Sequence, residues 1–323
     1  MRFKYIFRGE YFLIDYIDKL GNFDIQALES TFELEGRTDV YNIDSELIKA
    51  STKVAPARRA MGISKNGKRT YSFVFVPNDG FLNSNSPLLR DCELKLSFDR
   101  SIADLSFIQI GEITNDLANS VLKIENCFAV TEYISSEELR RKFAKIDTRP
   151  ITYTYENCDI NLKTLPLKET TIRIDNIRGG NNPSLLFAGI IKTAALNGNM
   201  KGSSTDFHQC NVSRINITLN GKIVNGYPLE NNGNSPVMAI QKFYDVTNRY
   251  MNIQCSDGFR LSMYKSNWLY AHRFEAQTTS QGWIGVHFEF TEAPTESLTL
   301  VVWSVQTCAL TVDKFHQVEK IIL

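Results

Sequence analysis

Several groups of side chains in this sequence have types and spacings that could do chemistry. In "GISKNGKRT" (62–70), Gly62, Gly67 and Lys68 fall where a phosphate-binding loop, G-x-x-x-x-G-K-[ST], places its two glycines and its lysine. The next position should offer a hydroxyl to magnesium but holds Arg69, and the segment leads into a strand-like run rather than a helix. It reads as a basic turn into a strand at Thr70. Asp206, His208 and Cys210 alternate, so on a strand all three would point one way, as metal ligands do. A fourth ligand is lacking nearby, and "GNMKGSSTDFHQCN" (198–211) has the composition of a polar loop entering a strand.

His272, His287 and His316 each stand alone in strand-like surroundings, with no nucleophile or orienting acid at a spacing that would complete a catalytic set. They read as structural residues. The stretch 55–69 carries Arg58, Arg59, Lys65, Lys68 and Arg69 without an acid and could touch a phosphate backbone. It has no aromatic residue for base stacking, so it reads as a solvated loop. The sequence therefore nominates no catalytic, cofactor-binding or metal-ligating residue, and the chain is read as a non-enzyme.

The elements around these residues are mostly strands. Helical spacing occurs at Leu13, Ile17 and Leu20, at Leu139, Phe143 and Ile146 behind a Ser135-x-x-Glu138 capping box, and from Val237 to about Met251 after Pro236. Strand patterns occur in "TYSFVFV" (70–76), "CELKLSF" (92–98), "VLKIENCFAV" (121–130), "ITYTYENCDINL" (151–162) and "TTIRIDNI" (170–177). Others follow in "FRLSMY" (259–264), "WLYAHRFEA" (268–276), "WIGVHFEF" (283–290) and "SLTLVVWSVQTCALTV" (297–312), the last long enough to bend or to be two strands. The clearest local signal is "VSRINITLNGKIVNGYPLE" (212–230). Ile215, Ile217 and Leu219 alternate with polar residues up to Asn220-Gly221, which predicts a two-residue hairpin turn with Ile217 opposite Val224. Short strands between Gly, Asn, Pro and Ser turns, without a β-α-β rhythm, predict antiparallel sandwiches. Pro150 closes the helical pattern before a fresh strand series, which puts a domain boundary at about residue 147.

Composition is that of an ordinary globular chain. Of 323 residues, 43% are hydrophobic and 22% charged, and 36 basic side chains balance 36 acidic ones. A neutral chain gives no electrostatic reason to bind nucleic acid or an anionic membrane, and little repulsion to keep copies apart. No apolar run approaches the length of a membrane span. Cys92, Cys127, Cys158, Cys210, Cys255 and Cys308 are scattered without a C-x-x-C pair and read as free thiols in a reducing compartment. The sequons at Asn211 and Asn216 read as accidents of an Asn/Ser/Thr-rich strand region.

The order of segments carries a resemblance. The early "EYFLIDYIDKLG" (10–21), then "FVFVPNDGFLNSNSPLLRDCELKLSFDRS" (73–101), then "KIENCFAVTEYISSEELRRKFAKID" (123–147), resembles the major capsid proteins of Polinton/Maverick elements and related adintovirus-like viruses. In the second half, "AALNGNMKGSSTDFHQCNVSRINITLNGKIVNGYPLE" (194–230), the helix after Pro236 and "GWIGVHFEFTEAPTESLTLVVWSVQTCALTVDK" (282–314) are similar to that family's loop, hairpin and closing strands.

The resemblance implies an all-β double jelly roll, two antiparallel sandwiches side by side with a few short helices. The first, over residues 1–146, is expected to be incomplete, because the chain begins almost on the early helix, where family members have leading strands; the second spans 147–323. It implies a structural subunit of an icosahedral viral or virus-like capsid, encoded by a transposable element or virus and assembling as homotrimeric, pseudo-hexagonal capsomers. The partners implied are copies of itself and penton or minor capsid proteins, with no specific nucleic acid and no membrane span. The location implied is the virion, and before assembly the cytoplasm or nucleus of the host cell. The competing expectation is a jelly-roll binding module, penton-like or retained by a host, that recognises a glycan or protein partner.

Overall fold

A computed structural model describes residues 2–7, 63–65, 68–70, 93–98, 150–197, 207, 210–224, 229–230, 237–247, 268–274, 281–313 and 317–322, with a few single positions between 123 and 141. These residues are all-β with few helices. In the first half, β1 (Arg2–Phe7) pairs in parallel with β4 (Glu93–Phe98). Between them in sequence, β2 (Ile63–Lys65) and β3 (Lys68–Thr70) pair antiparallel, with Lys65 opposite Lys68. Glu137, Glu138 and Arg141 are helical, with an i,i+4 ion pair between Glu137 and Arg141. The early helix at 13–20 and the strands expected at 71–76 and 259–264 lie outside the described residues; of 121–130 only Lys123 and Glu125 are described, ion-paired at 3.2 Å and in no regular element.

The second half is described almost continuously. Its elements are β5 (Ile151–Thr164), β6 (Thr171–Asn181), β7 (Leu185–Lys192), α1 (Thr193–Leu196), β8 (Val212–Leu219), β9 (Lys222–Ile223), β10 (Leu229–Glu230), α2 (Val237–Thr247), β11 (Leu269–Arg273), β12 (Gln281–Phe290), β13 (Leu298–Val312) and β14 (Val318–Ile322). One sheet has the order β5-β13-β7-β11, with β14 continuing along β13 beyond β7. The other has the order β6-β12-β8, with β9 and β10 both on the far edge of β8. Every pairing in the two sheets is antiparallel.

When β9 and β10 are counted as one edge position and the appended β14 is set aside, the chain from β5 to β13 alternates between the sheets so that the first strand lies beside the last and the second beside the penultimate. That is the strand order of a jelly roll.

The expected Asn220-Gly221 turn is present. Asn220 has φ 52° and Gly221 φ 77°, the left-handed pair that matches a tight turn to strand twist. Leu219 faces Lys222, Thr218 faces Ile223, and the Val224 amide donates to the Ile217 carbonyl at 2.9 Å. The run 297–312, expected to bend or divide, is instead one strand, β13. It is continuous because β5 pairs along nearly all of it while β7 and then β14 share its other edge.

The core lies between the sheets. Ile172 and Ile174 on β6, Ile215 and Ile217 on β8, and Ile284, Val286 and Phe288 on β12 supply one wall by strict alternation. The facing sheet is unusual for an antiparallel one, because β7 and the first half of β13 are buried on both faces. Arg178 of β6 reaches Gln306 of β13, so the face of β13 that carries Ser304 and Gln306 is turned toward the second sheet. The opposite face, with Phe187 directly across from Trp303, is covered by Phe207 and by α2.

Ala239, Phe243 and Val246 of α2, spaced i, i+4, i+7, are its buried stripe. Phe243 meets Phe187 edge-on with centroids 5.9 Å apart, and Phe207 meets Trp303 the same way at 5.2 Å. Such contacts add about 0.5–1.5 kcal/mol each beyond area burial. The Arg273 guanidinium donates to the Val246 carbonyl at 2.7 Å, satisfying an orphan acceptor of the last helical turn. Gly189 is required for this packing: a Cβ there would stand 2.5 Å from the Phe207 ring and 2.9 Å from Leu269.

Candidate functional site

Among the described residues, those singled out for their chemistry are not brought together. Lys68, the lysine of the near phosphate loop, is exposed at the start of β3, a strand paired with β2, and so does not open a helix whose N-terminus could hold a phosphate. Within the segment expected to be loop up to Thr70, residues 63–65 and 68–70 are paired strands. Of the alternating triplet, Asp206 and His208 lie outside the described residues, while Cys210 sits at a left-handed turn position, φ 51°, followed by Asn211 at φ 57°. Between them Phe207 is fully buried and bridges to Ile191, so this loop is anchored to the sheet by an apolar side chain. Among the described residues no group of three or more His, Cys, Asp or Glu could hold a metal ion. Nor is any described helix long and apolar enough to cross a membrane.

The histidines divide. His287 Nε2 lies 2.9 Å from Asp175 Oδ1 on the outward face of β12 and is a satisfied structural residue. His272 is buried on β11, edge-on to Phe274 at 4.7 Å, and its Nδ1 has no hydrogen-bond partner. Burial, with Lys242 of α2 as a second cause, lowers its pKa to about 4, so it is neutral near pH 7. His316 lies outside the described residues. Cys158 and Cys308 carry free thiols. Burial, and next the Asp159 carboxylate, push the Cys158 thiol up to about 12, and burial raises that of Cys308, so neither is a nucleophile.

The polar cluster that does form is structural. Arg178 crosses from β6 and donates to the side chains of Gln306 and Asp159 and, at 3.0 Å, to the Asn181 carbonyl; the Gln306 amide in turn donates to Asp159 at 3.2 Å. These bonds tie the two sheets together where β6 turns into β7.

Among the exposed apolar side chains of the second half, which include Ile223 and Leu167, one is a tryptophan. Trp268 and Trp303 are buried, but Trp283, at the start of β12, is 49% exposed. It lies beside the Asn220-Gly221 turn. The Trp283 amide donates to Asn220 Oδ1 at 3.0 Å, and the Asn220 amide donates to the Trp283 carbonyl at 2.9 Å. On the other side its cross-strand partner is Gly179, and Gly180 pairs with Gly282. Two residues along β12, Gly285 faces an irregularity in β6 that places three residues opposite one. A Cβ at Gly285 would stand 2.6 Å from Thr218 Oγ1, 2.7 Å from the Ile174 carbonyl oxygen and 3.0 Å from that of Asp175. Sequence reading placed Trp283 in a strand but had no means of pairing it with Gly179.

No protein-family model matches the chain. No curated protein sequence matches it either. Among solved structures it is similar to a chain of the Sputnik virophage, at 11% identity and TM-score 0.34, covering 54% of this chain and 39% of that one. It is similar to the mavirus major capsid protein at 8% identity and TM-score 0.34, covering 59% and 44%. A third likeness is to the PBCV-1 virus capsid at 10% identity and TM-score 0.34, covering 58% and 54%. The chain therefore spans about half or less of the length of the solved proteins it matches.

Proposed function

We propose that this chain is a structural subunit of an icosahedral viral or virus-like capsid of the Polinton/Maverick kind. In this reading residues 147–323 are the second of two jelly rolls, residues 1–146 are a partial first, and three subunits make a pseudo-hexagonal capsomer. The observation that carries it is the strand order of β5 to β13, found where the segment order most resembles that family.

The physics suits a wall. A sheet whose β7 and first half of β13 are buried on both faces, tied to its partner by Arg178, is a well-packed support, and weak contacts repeated by symmetry add up. The chemistry suits it too, since the buried thiols and the neutral, buried His272 are set by their surroundings against reactivity. The partners in this reading are copies of the chain and penton or minor capsid proteins, in the virion and, before assembly, in the host cell.

Electron microscopy of the expressed protein together with light scattering tests this. Trimers and hexagonal capsomers are expected, and Lys68→Ala or His208→Ala should leave them intact. A strictly monomeric species at tens of micromolar, or assembly abolished by either substitution, would overturn the reading.

A further inference from the structure

We infer that the β2–β3 pair is a contact surface for the phosphate backbone of double-stranded nucleic acid, made without regard to sequence. The charge of the chain balances only as a whole. Residues 47–78 hold seven of its 36 basic side chains and none of its 36 acidic ones, and Arg58, Arg59, Lys65, Lys68 and Arg69 all fall within 58–69. β2 and β3 form a two-stranded sheet of their own. Ile63 is 74% exposed, and Lys68 and Thr70 are exposed as well, so the pair stands clear of a packed core. Its register sets Lys65 directly opposite Lys68 and Arg69 opposite Ser64, so no cross-strand position offers an acid. Like charges directly opposite each other are destabilising in a strand pair, and among the described residues no acid pairs with Lys68. An anion laid over these positions turns that repulsion into attraction.

The shape and the residue types choose the anion. A two-stranded ribbon is one of the elements that the major groove of B-DNA admits, and lysine and arginine are the side chains that neutralise its phosphates. Single strands are held by stacking their bases on aromatic rings, and residues 55–69 contain none. An anionic membrane carries the same sign of charge, but attachment to it also needs apolar area, and Ile63 is the only apolar residue of the two strands. A lone phosphate needs the converging amides of a helix N-terminus, and Lys68 opens a strand instead. Contact made through charge alone reads no base edge, which makes the binding independent of sequence.

Fluorescence anisotropy of a labelled, mixed-sequence DNA duplex, titrated with the full chain at several salt concentrations, tests this. Dissociation constants on the order of 10⁻⁶–10⁻⁴ M at physiological salt are expected, tightening steeply as salt is lowered. The double variant Lys65→Gln/Lys68→Gln should bind more weakly at every salt. Its slope of log affinity against log salt should be shallower by about 2, since each phosphate contact contributes ~0.9. Lys222→Gln, which removes an exposed lysine from β9, should change neither quantity, and unchanged melting of both variants shows that the fold is kept. If the double variant melts lower, Arg58→Gln/Arg59→Gln, outside the two strands, carries the same expectation. No binding to the duplex at low salt, an unchanged slope, or an equal loss from Lys222→Gln would overturn the inference. So would tighter binding of the single strand than of the duplex, or retention on anionic phospholipid vesicles but not on the duplex. Each comparison is made within one preparation, so none of these outcomes depends on whether capsomers form.

Discussion

Gly285→Ala should be more damaging than its size suggests. A glycine in a strand normally costs about 0.5–1 kcal/mol relative to alanine, so the bare expectation for such a change is a gain. At Gly285 the added carbon would meet Thr218 Oγ1 at 2.6 Å and the carbonyl oxygens of Ile174 and Asp175 at 2.7 and 3.0 Å. The threonine could rotate, but the carbonyls belong to the irregular part of β6, whose flanks are fixed by Ile174 opposite Val286 and Arg178 opposite Ile284. Overpacking of this kind costs about 1–3 kcal/mol, and backbone neighbours place it at the upper end. For a unit of this size that lowers the melting temperature by ~4–10 °C. Gly179→Ala, in the same strand pair with open space around it, is the internal control and should melt at the wild-type temperature or slightly above. Differential scanning calorimetry of the two variants decides. A Gly285→Ala protein that melts within about 1 °C of wild type would mean that β6 does not fold over β12 as described.

Ile217, fully buried opposite Val224, should tolerate valine at about 1 kcal/mol in urea denaturation, whereas Ile217→Asp buries an unpaired charge and should abolish cooperative folding. A folded Ile217→Asp protein would remove this hairpin from the core. His272, whose folded pKa of about 4 lies below its ordinary 6.5, binds its proton more readily when unfolded. Its contribution is therefore complete above pH 6.5 and lost as pH falls toward 4, on the order of 3 kcal/mol in all. His272→Leu should flatten the stability profile in that window, and an unchanged slope would refute this. Cys158 and Cys308 should resist iodoacetamide at pH 8 until denaturant is added, as read by mass spectrometry of peptides; rapid labelling of either in the native protein would contradict their burial.

What the sequence disclosed followed its periodicity. β5, β6, β8, β12 and the hairpin turn were legible because one face of each is apolar and the other polar, or because Asn-Gly names its own turn type. β7 was not legible, although it lies at the centre of its sheet. "LLFAGIIK" is buried on both faces, so it has no alternation to detect, and the cover on its second face comes from Phe207 and α2. The β2–β3 pair was hidden in plain view, because its basic residues invited a functional reading. β1 and β14 also escaped, each short and paired with a strand whose position no local pattern reveals. The pairing of Trp283 with Gly179 could not be read from sequence for the same reason: an exposed tryptophan acquires a glycine neighbour only through the register of β12 on β6.

The position of β13 in its sheet bears on how the protein is made. Thr193 and Thr299, hydrogen-bonded at the end of the β7–β13 pair, are 106 residues apart, and β5 is still farther from its partner. Translation at about 5–20 residues per second separates the emergence of β7 from that of β13 by ~5–20 s. Throughout that interval the nascent chain carries a fully apolar strand whose central neighbour does not yet exist, and an unpaired strand of that composition is what other nascent chains aggregate on. On a polysome, where many copies hold the same strand open side by side, the yield of native protein is then set by whatever shields β7 until β13 arrives. Co-expression with a chaperone that binds extended apolar segments should raise soluble yield without altering the melting temperature of what is recovered.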